Sequence, residues 1–232
     1  MGAAHGDGDP CPAMSGEPVS SMPATPSLAG QLWSANRDLA LRCLEHPFVQ
    51  GLAQGTLPRD CFAAYVAQDA SFLESFARAY ALAIAHSPDR SSLLAFNALL
   101  QGVLAELELH AGYAQRWGIE LESTTPLPAT TAYTGFLLAT AQGGDAGLIC
   151  AAMTPCLRLY AWLGQQLRAQ VGQPEHTYAE WIDTYAHPDF EQLTQQLEAL
   201  LDRHAAEGTP VEHTYRRAME LELAFFNAHT PA

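Results

Sequence analysis

Residues 59–86 read RDCFAAYVAQDASFLESFARAYALAIAH, and the lack of Gly and Pro between Pro58 and Ser87-Pro88 marks one long helix. Within it Tyr65, Asp69, Phe72 and Phe76 recur at steps of four, three and four, so they share one face. An aromatic face turns to a core, and Asp69 turns inward with it. A buried carboxylate costs on the order of several kcal/mol unless it is paired or hydrogen-bonded, so Asp69 is either a structural tie or part of a polar pocket.

Helical spacing continues on both sides of this stretch. Upstream, Ser27 caps a helix running to about Glu45, His46-Pro47 stops it, and Gly51–Pro58 reads as a turn-rich connector. Downstream, helices are expected over about 91–116, 129–142, 146–169, 176–185, 188–206 and 211–228, with no β alternation between them. The fold class is all-α, a helical bundle in a single domain. Residues 1–27 are rich in Gly, Pro and Ser and poor in large apolar side chains, and are expected to form a disordered tail ahead of a domain at 28–232.

With 232 residues, 48% of them apolar, the chain has material for one sizeable core. All eleven basic residues are arginine, and the absence of lysine excludes both a pyridoxal Schiff base and a P-loop. A net charge of −14 argues against nucleic acid as a partner, because that affinity rests on neutralising phosphates. The five cysteines show no CxxC spacing, which fits reduced thiols better than a disulfide framework or a zinc ribbon. The N-terminus lacks a secretory pattern, and the longest apolar run, Ala79–Ala85, is too short to span a bilayer. A cytoplasmic protein without membrane contact is expected.

Two more stripes carry groups that a plain core would not. Tyr215, Ala218, Glu222 and Phe225 share a face, which places a second carboxylate among aromatic and small residues. Ile149, Met153, Cys156, Tyr160 and Leu163 share another, so the Tyr160 hydroxyl falls one turn from the Cys156 thiol. Pro155 gives no N–H to the Ala151 carbonyl, so the helix should kink or open beside the sulfur. Free cysteine is common in cores, and Cys156 alone would be read that way. Two inward carboxylates on different helices favour a pocket that tunes their acidity.

Glu106 and His110, and also Asp183 and His187, stand four apart, a spacing that suits two metal ligands on one helix face. The repeated Glu-x-x-His motifs of a di-iron bundle are missing, so Glu106 and His110 read as a hydrogen-bonded pair between helices. No metal is expected.

At these residues the chain resembles the TenA family, also called thiaminase II or aminopyrimidine aminohydrolase. The likeness is densest in His46-Pro47-Phe48-Val49-Gln50-Gly51, Gly55-Thr56-Leu57-Pro58 and Tyr65-Val66-Ala67-Gln68-Asp69. It continues through Ala132-Tyr133-Thr134, Pro155-Cys156-Leu157-Arg158-Leu159-Tyr160 and Trp181-Ile182-Asp183-Thr184-Tyr185, and ends at Glu222 with Phe225-Phe226. The resemblance implies a haem-oxygenase-like helical fold assembled as a homotetramer, with no cofactor. By that resemblance Asp69 binds the amino group and adjacent ring nitrogen of a pyrimidine, and Cys156 is the nucleophile of the cysteine-containing branch. Glu222 is the carboxyl group that works on the opposite ring nitrogen, and Tyr133, Tyr160 and Tyr185 line the pocket. Phe72 stands where the family often has tyrosine, which keeps a stacking face and loses a hydroxyl. Phe226-Asn227-Ala228 replaces a run that usually contains tryptophan.

The implied activity is hydrolysis of 4-amino-5-aminomethyl-2-methylpyrimidine to the hydroxymethyl pyrimidine and ammonia, in thiamin salvage, with thiamin cleavage as a side activity. A flat, nitrogen-rich ring suits aromatic walls with carboxyl groups at the edges. Addition of a thiolate to the ring eases departure of the amine, and a carboxyl group moves the proton. One alternative is a non-catalytic pyrimidine- or thiamin-binding protein, which has no need of Cys156 and Glu222 together. Another is an oxygenase on the same fold, which would carry iron or haem.

Overall fold

The computed structural model describes residues 2, 26–119, 121, 124–173 and 175–230. The tail expected at 1–27 therefore lies outside the described residues except for Gly2, Pro26 and Ser27. Among the described residues the regular structure is entirely α-helical, in ten helices. They are α1 (Leu28–Ala35), α2 (Arg37–Leu44), α3 (Pro47–Gln54), α4 (Arg59–Ala85), α5 (Arg90–Trp117), α6 (Pro128–Gln142), α7 (Ala146–Val171), α8 (Ala179–Ala186), α9 (Pro188–His204) and α10 (Thr209–Asn227).

Ser27 caps α1 as expected, its side chain accepting from the Gly30 N–H. The single helix expected up to Glu45 breaks at Asn36, whose side chain donates back to the Leu32 carbonyl at 2.8 Å. The first half of the connector expected at Gly51–Pro58, up to Gln54, is the second half of helix α3. His46-Pro47 ends one helix and starts another: Pro47 takes the first turn, and His46 Nδ1 accepts from the Phe48 N–H at 3.2 Å. Gly55, at φ 71°, closes α3 in the left-handed region. Pro155 does not interrupt α7, which stays helical from end to end.

α4 packs on α5 and α6, while α7 packs on α8, α9 and α10. α10 also leans on α6, so the two layers meet around its inner face. Arg158 holds α9 to α7, donating to Glu198 at 2.7 and 2.8 Å and to Glu191 at 3.0 Å through both terminal nitrogens. Gln68 holds the entry of α6 to α4: its Oε1 accepts from Leu127 N at 2.8 Å and from Thr130 Oγ1 at 2.6 Å.

α5 and α7 are each long and apolar enough to cross a membrane by length and composition, which short unbroken apolar runs did not suggest. α7 is buried over most of its length in the core. α5 leaves an outer face open, with Leu93, Leu94 and Leu104 exposed.

Gly164 is where α7 meets the backbone of α8. A Cβ there would stand 2.4 Å from the Tyr185 carbonyl carbon and 2.5 Å from Ala186 N, and backbone cannot yield as a side chain can. Gly164→Ala is expected to cost about 1–3 kcal/mol in stability, the range for forced overpacking. Gly135→Ala, at an exposed position inside α6 with nothing within 4 Å of the new methyl, is the control and should gain up to about 1 kcal/mol from helix propensity. Thermal melts of the two variants check the contrast, and a stable Gly164→Ala protein would contradict the close contact.

Candidate functional site

Five helices converge at the layer junction. α4 presents Asp69 and Phe72, α5 presents Glu106 and His110, α7 presents Cys156 and Tyr160, α8 presents Tyr185, and α10 presents Glu222. Asp69, Phe72, Glu106, Cys156, Tyr160 and Tyr185, with Leu157 and Phe190, line a cavity of about 20 Å³. That is room for a water and not for a pyrimidine ring. Glu106, Leu157 and Phe190 also line a neighbouring open groove of about 470 Å³, so these three side chains separate the two spaces.

Asp69 is buried, and His110 Nε2 lies 3.2 Å from its Oδ2. Burial, then the nearby Glu106 and Glu222, holds the Asp69 carboxyl well above the usual range, while a hydrogen bond with Tyr65 works the other way. Burial also pushes His110 down to about 4. Both groups are therefore uncharged, and the neutral imidazole can donate to Oδ2 without using the proton of the Asp69 carboxyl. Tyr65 Oη lies 3.2 Å from Tyr160 Oη and accepts from Trp181 Nε1 at 3.4 Å, which links the Asp69 edge to α7 and α8.

Glu222 sits behind the thiol, outside the cavity wall. Tyr133 Oη donates to its Oε1 at 2.6 Å, and the Cys156 thiol hydrogen-bonds to the same carboxyl. Burial raises Glu222 to about 7 against those two hydrogen bonds. Burial, Glu222 and Glu106 all push the Cys156 thiol up, so at rest the sulfur is a protonated thiol. The resemblance assigns Glu222 to a ring nitrogen; in the ligand-free structure its hydrogen-bond partners are Tyr133 and Cys156. Cys43 and Cys150 are core residues: burial and then the charge of the same Glu222 push Cys43 up, and burial raises Cys150 to about 12. Cys11 lies outside the described residues.

Phe72 packs against Tyr133 at 4.7 Å between centroids and against Phe76 at 5.4 Å, an apolar wall suited to a flat ring. Tyr185 Oη donates to Glu106 Oε1 at 2.6 Å, so Glu106 and His110 each bond to a different helix. Asp183 pairs with Arg168, and His187 caps α9. Among the described residues, no three His, Cys, Asp or Glu side chains cluster as a metal site would require.

Sequence reasoning missed His110 as the partner of Asp69, and did not place Glu106 in the pocket. A signal was present. Asp69 and His110 stand at nearly equal distances on either side of the Ser87–Asp89 turn, and in an antiparallel helix pair such positions face each other.

The TENA/THI-4/PQQC family model matches residues 33–230. The chain is 35% identical over 211 residues to the aminopyrimidine aminohydrolase of Halalkalibacterium halodurans, covering 87% of this chain and 94% of that one. It is 34% identical to the mitochondrial bifunctional TH2 protein of Arabidopsis thaliana over 87% of this chain, but spans only 37% of that longer protein. A solved TenA family transcription regulator from a Silicibacter species superposes with a TM-score of 0.80 at 31% identity, covering 87% of this chain and 96% of that one.

Proposed function

The chain belongs to the TENA/THI-4/PQQC family, and on that premise we propose that it is an aminopyrimidine aminohydrolase of thiamin salvage. The substrate is 4-amino-5-aminomethyl-2-methylpyrimidine, converted with water to the hydroxymethyl pyrimidine and ammonia. The observation that carries this reading is the Cys156 thiol set against the Glu222 carboxyl, beside a cavity that Asp69 borders with aromatic walls. A protein that only bound a pyrimidine would gain nothing from a thiol paired with an acid of raised pKa.

The chemistry follows from the protonation states. A protonated Asp69 offers one donor and one acceptor, which match the ring nitrogen and the amino N–H on one edge of an aminopyrimidine. Glu222, once ionised, takes the thiol proton as sulfur adds to a ring carbon and passes it to a ring nitrogen. The electron pair of the adduct then expels the protonated exocyclic amine as ammonia. Water adds to the methylene carbon that this exposes and gives its extra proton to the ammonia, which departs as ammonium. Sulfur leaves with its electron pair and regains, through Glu222, the proton that the ring nitrogen releases.

The same reading makes the protein a cytoplasmic homotetramer with no cofactor and no nucleic-acid or membrane partner. The open α5 face around Leu93, Leu94 and Leu104 is apolar surface that such an assembly would cover. Purified protein should release ammonia from the aminomethyl pyrimidine faster than it cleaves thiamin. Tight binding of the hydroxymethyl product with no turnover of either compound would instead favour a non-catalytic pyrimidine-binding protein.

A further inference from the structure

Glu106 is a third carboxyl group at this site, and the chemistry above does not use it. Its Oε1 accepts from Tyr185 Oη, and it borders the cavity together with Asp69 and Cys156. It also borders the open groove beyond Leu157 and Phe190, so it stands where the inner space meets the outer one. Among the described residues, no arginine or histidine pairs with it in a salt bridge: His110, one turn along the same helix, is engaged by Asp69. Burial raises Glu106 to about 7, as expected of an acid without a cation beside it.

A half-buried carboxyl at the inner end of a groove that lacks a counter-charge suits a ligand that brings one. The pyrimidine ring is neutral, and its Asp69 edge and aromatic faces are accounted for. The exocyclic methylene is different: it carries an alkylammonium in the aminomethyl compound and a thiazolium in thiamin. With the ring on Asp69 and the sulfur beneath it, the leaving group points towards the remaining polar wall and the open groove.

Resting on the aminopyrimidine reading, we propose that Glu106 is the binding group for the cation carried on the exocyclic methylene, and that it selects the charged substrate over the neutral product. Its carboxylate meets the ammonium before the carbon–nitrogen bond breaks. The neutral hydroxymethyl product offers it no charge, so the product is held by the ring contacts alone.

The test compares a cationic and a neutral ligand with the same ring. Glu106→Gln keeps an oxygen to accept from Tyr185 and removes only the charge. It should raise KM for the aminomethyl compound at least tenfold, while Ki for the hydroxymethyl product changes less than threefold. Tyr185→Phe removes the hydrogen bond and keeps the charge, and should change KM and Ki by similar factors. Melting temperatures should show both variants folded. Equal loss of both ligands in Glu106→Gln would make Glu106 a support for Tyr185 and overturn the inference alone. Failure of the wild-type protein to bind either ligand would overturn the aminopyrimidine reading and this inference with it.

Discussion

Cys156→Ser is expected to bind the hydroxymethyl product nearly as well as the wild type and to lose turnover by at least about a thousandfold per folded molecule. A serine hydroxyl at this position still reaches the Glu222 carboxyl, but it is a far weaker nucleophile than sulfur. The resting thiol is protonated, so its reactivity depends on Glu222 accepting the proton, and Glu222→Gln should stop turnover as well. Because sulfur and carboxyl serve one step, the double variant should be scarcely slower than the slower single variant. A core cysteine would behave otherwise, with serine lowering the melting temperature and sparing turnover. Rates per active site in the three variants, with binding measured by calorimetry, distinguish these outcomes.

The same Glu222→Gln substitution should make the protein more stable at pH 8, in the opposite sense to its effect on activity. Burial raises Glu222 from 4.5 to about 7. Below pH 4.5 it is protonated in both folded and unfolded states and contributes nothing to the pH dependence. Between 4.5 and 7 the unfolded chain releases this proton and the folded chain keeps it, so stability falls by about 1.4 kcal/mol per pH unit. Above 7 the loss is complete, at about 3 kcal/mol. Buried His110 and His229, both lowered to about 4, act in the other direction over part of the range, since their contribution is lost as pH falls. The difference between variant and wild type isolates Glu222 together with Asp69 and Cys156, which its charge pushes up. Denaturant titrations at pH 4.5 and 8 should give equal stabilities at the lower pH and a more stable variant at the higher. A variant less stable than wild type at pH 8 would show that the hydrogen bonds from Tyr133 and Cys156 outweigh the burial of the charge.

The long helices were legible because their spacing and their punctuation agree. Asp69 and Glu222 betrayed themselves as charges on aromatic stripes, a signal that needs no partner to be seen. The break at Asn36 was not visible, because it depends on one side chain bonding back to a carbonyl. Helix α3 was hidden because Gly51 reads as a breaker, although in space it only lets the chain pass close to Leu57. The roles of Glu106 and His110 depend on which helix each one faces, and spacing along a single helix cannot supply that. For Glu222 the stripe picked out the residue, and the packing of α10 on α7 supplied its partner, the sulfur.

The wall formed by Leu157 and Phe190 also bears on the timing of the reaction. An inner space that admits about one water cannot receive a ring until those side chains swing aside, so arrival is limited by the frequency of opening, however often the ligand collides with the surface. Departing pyrimidine must pass the same wall, whereas ammonia is small enough to slip out ahead of it. The order of release is thereby set by size, ammonia before the ring.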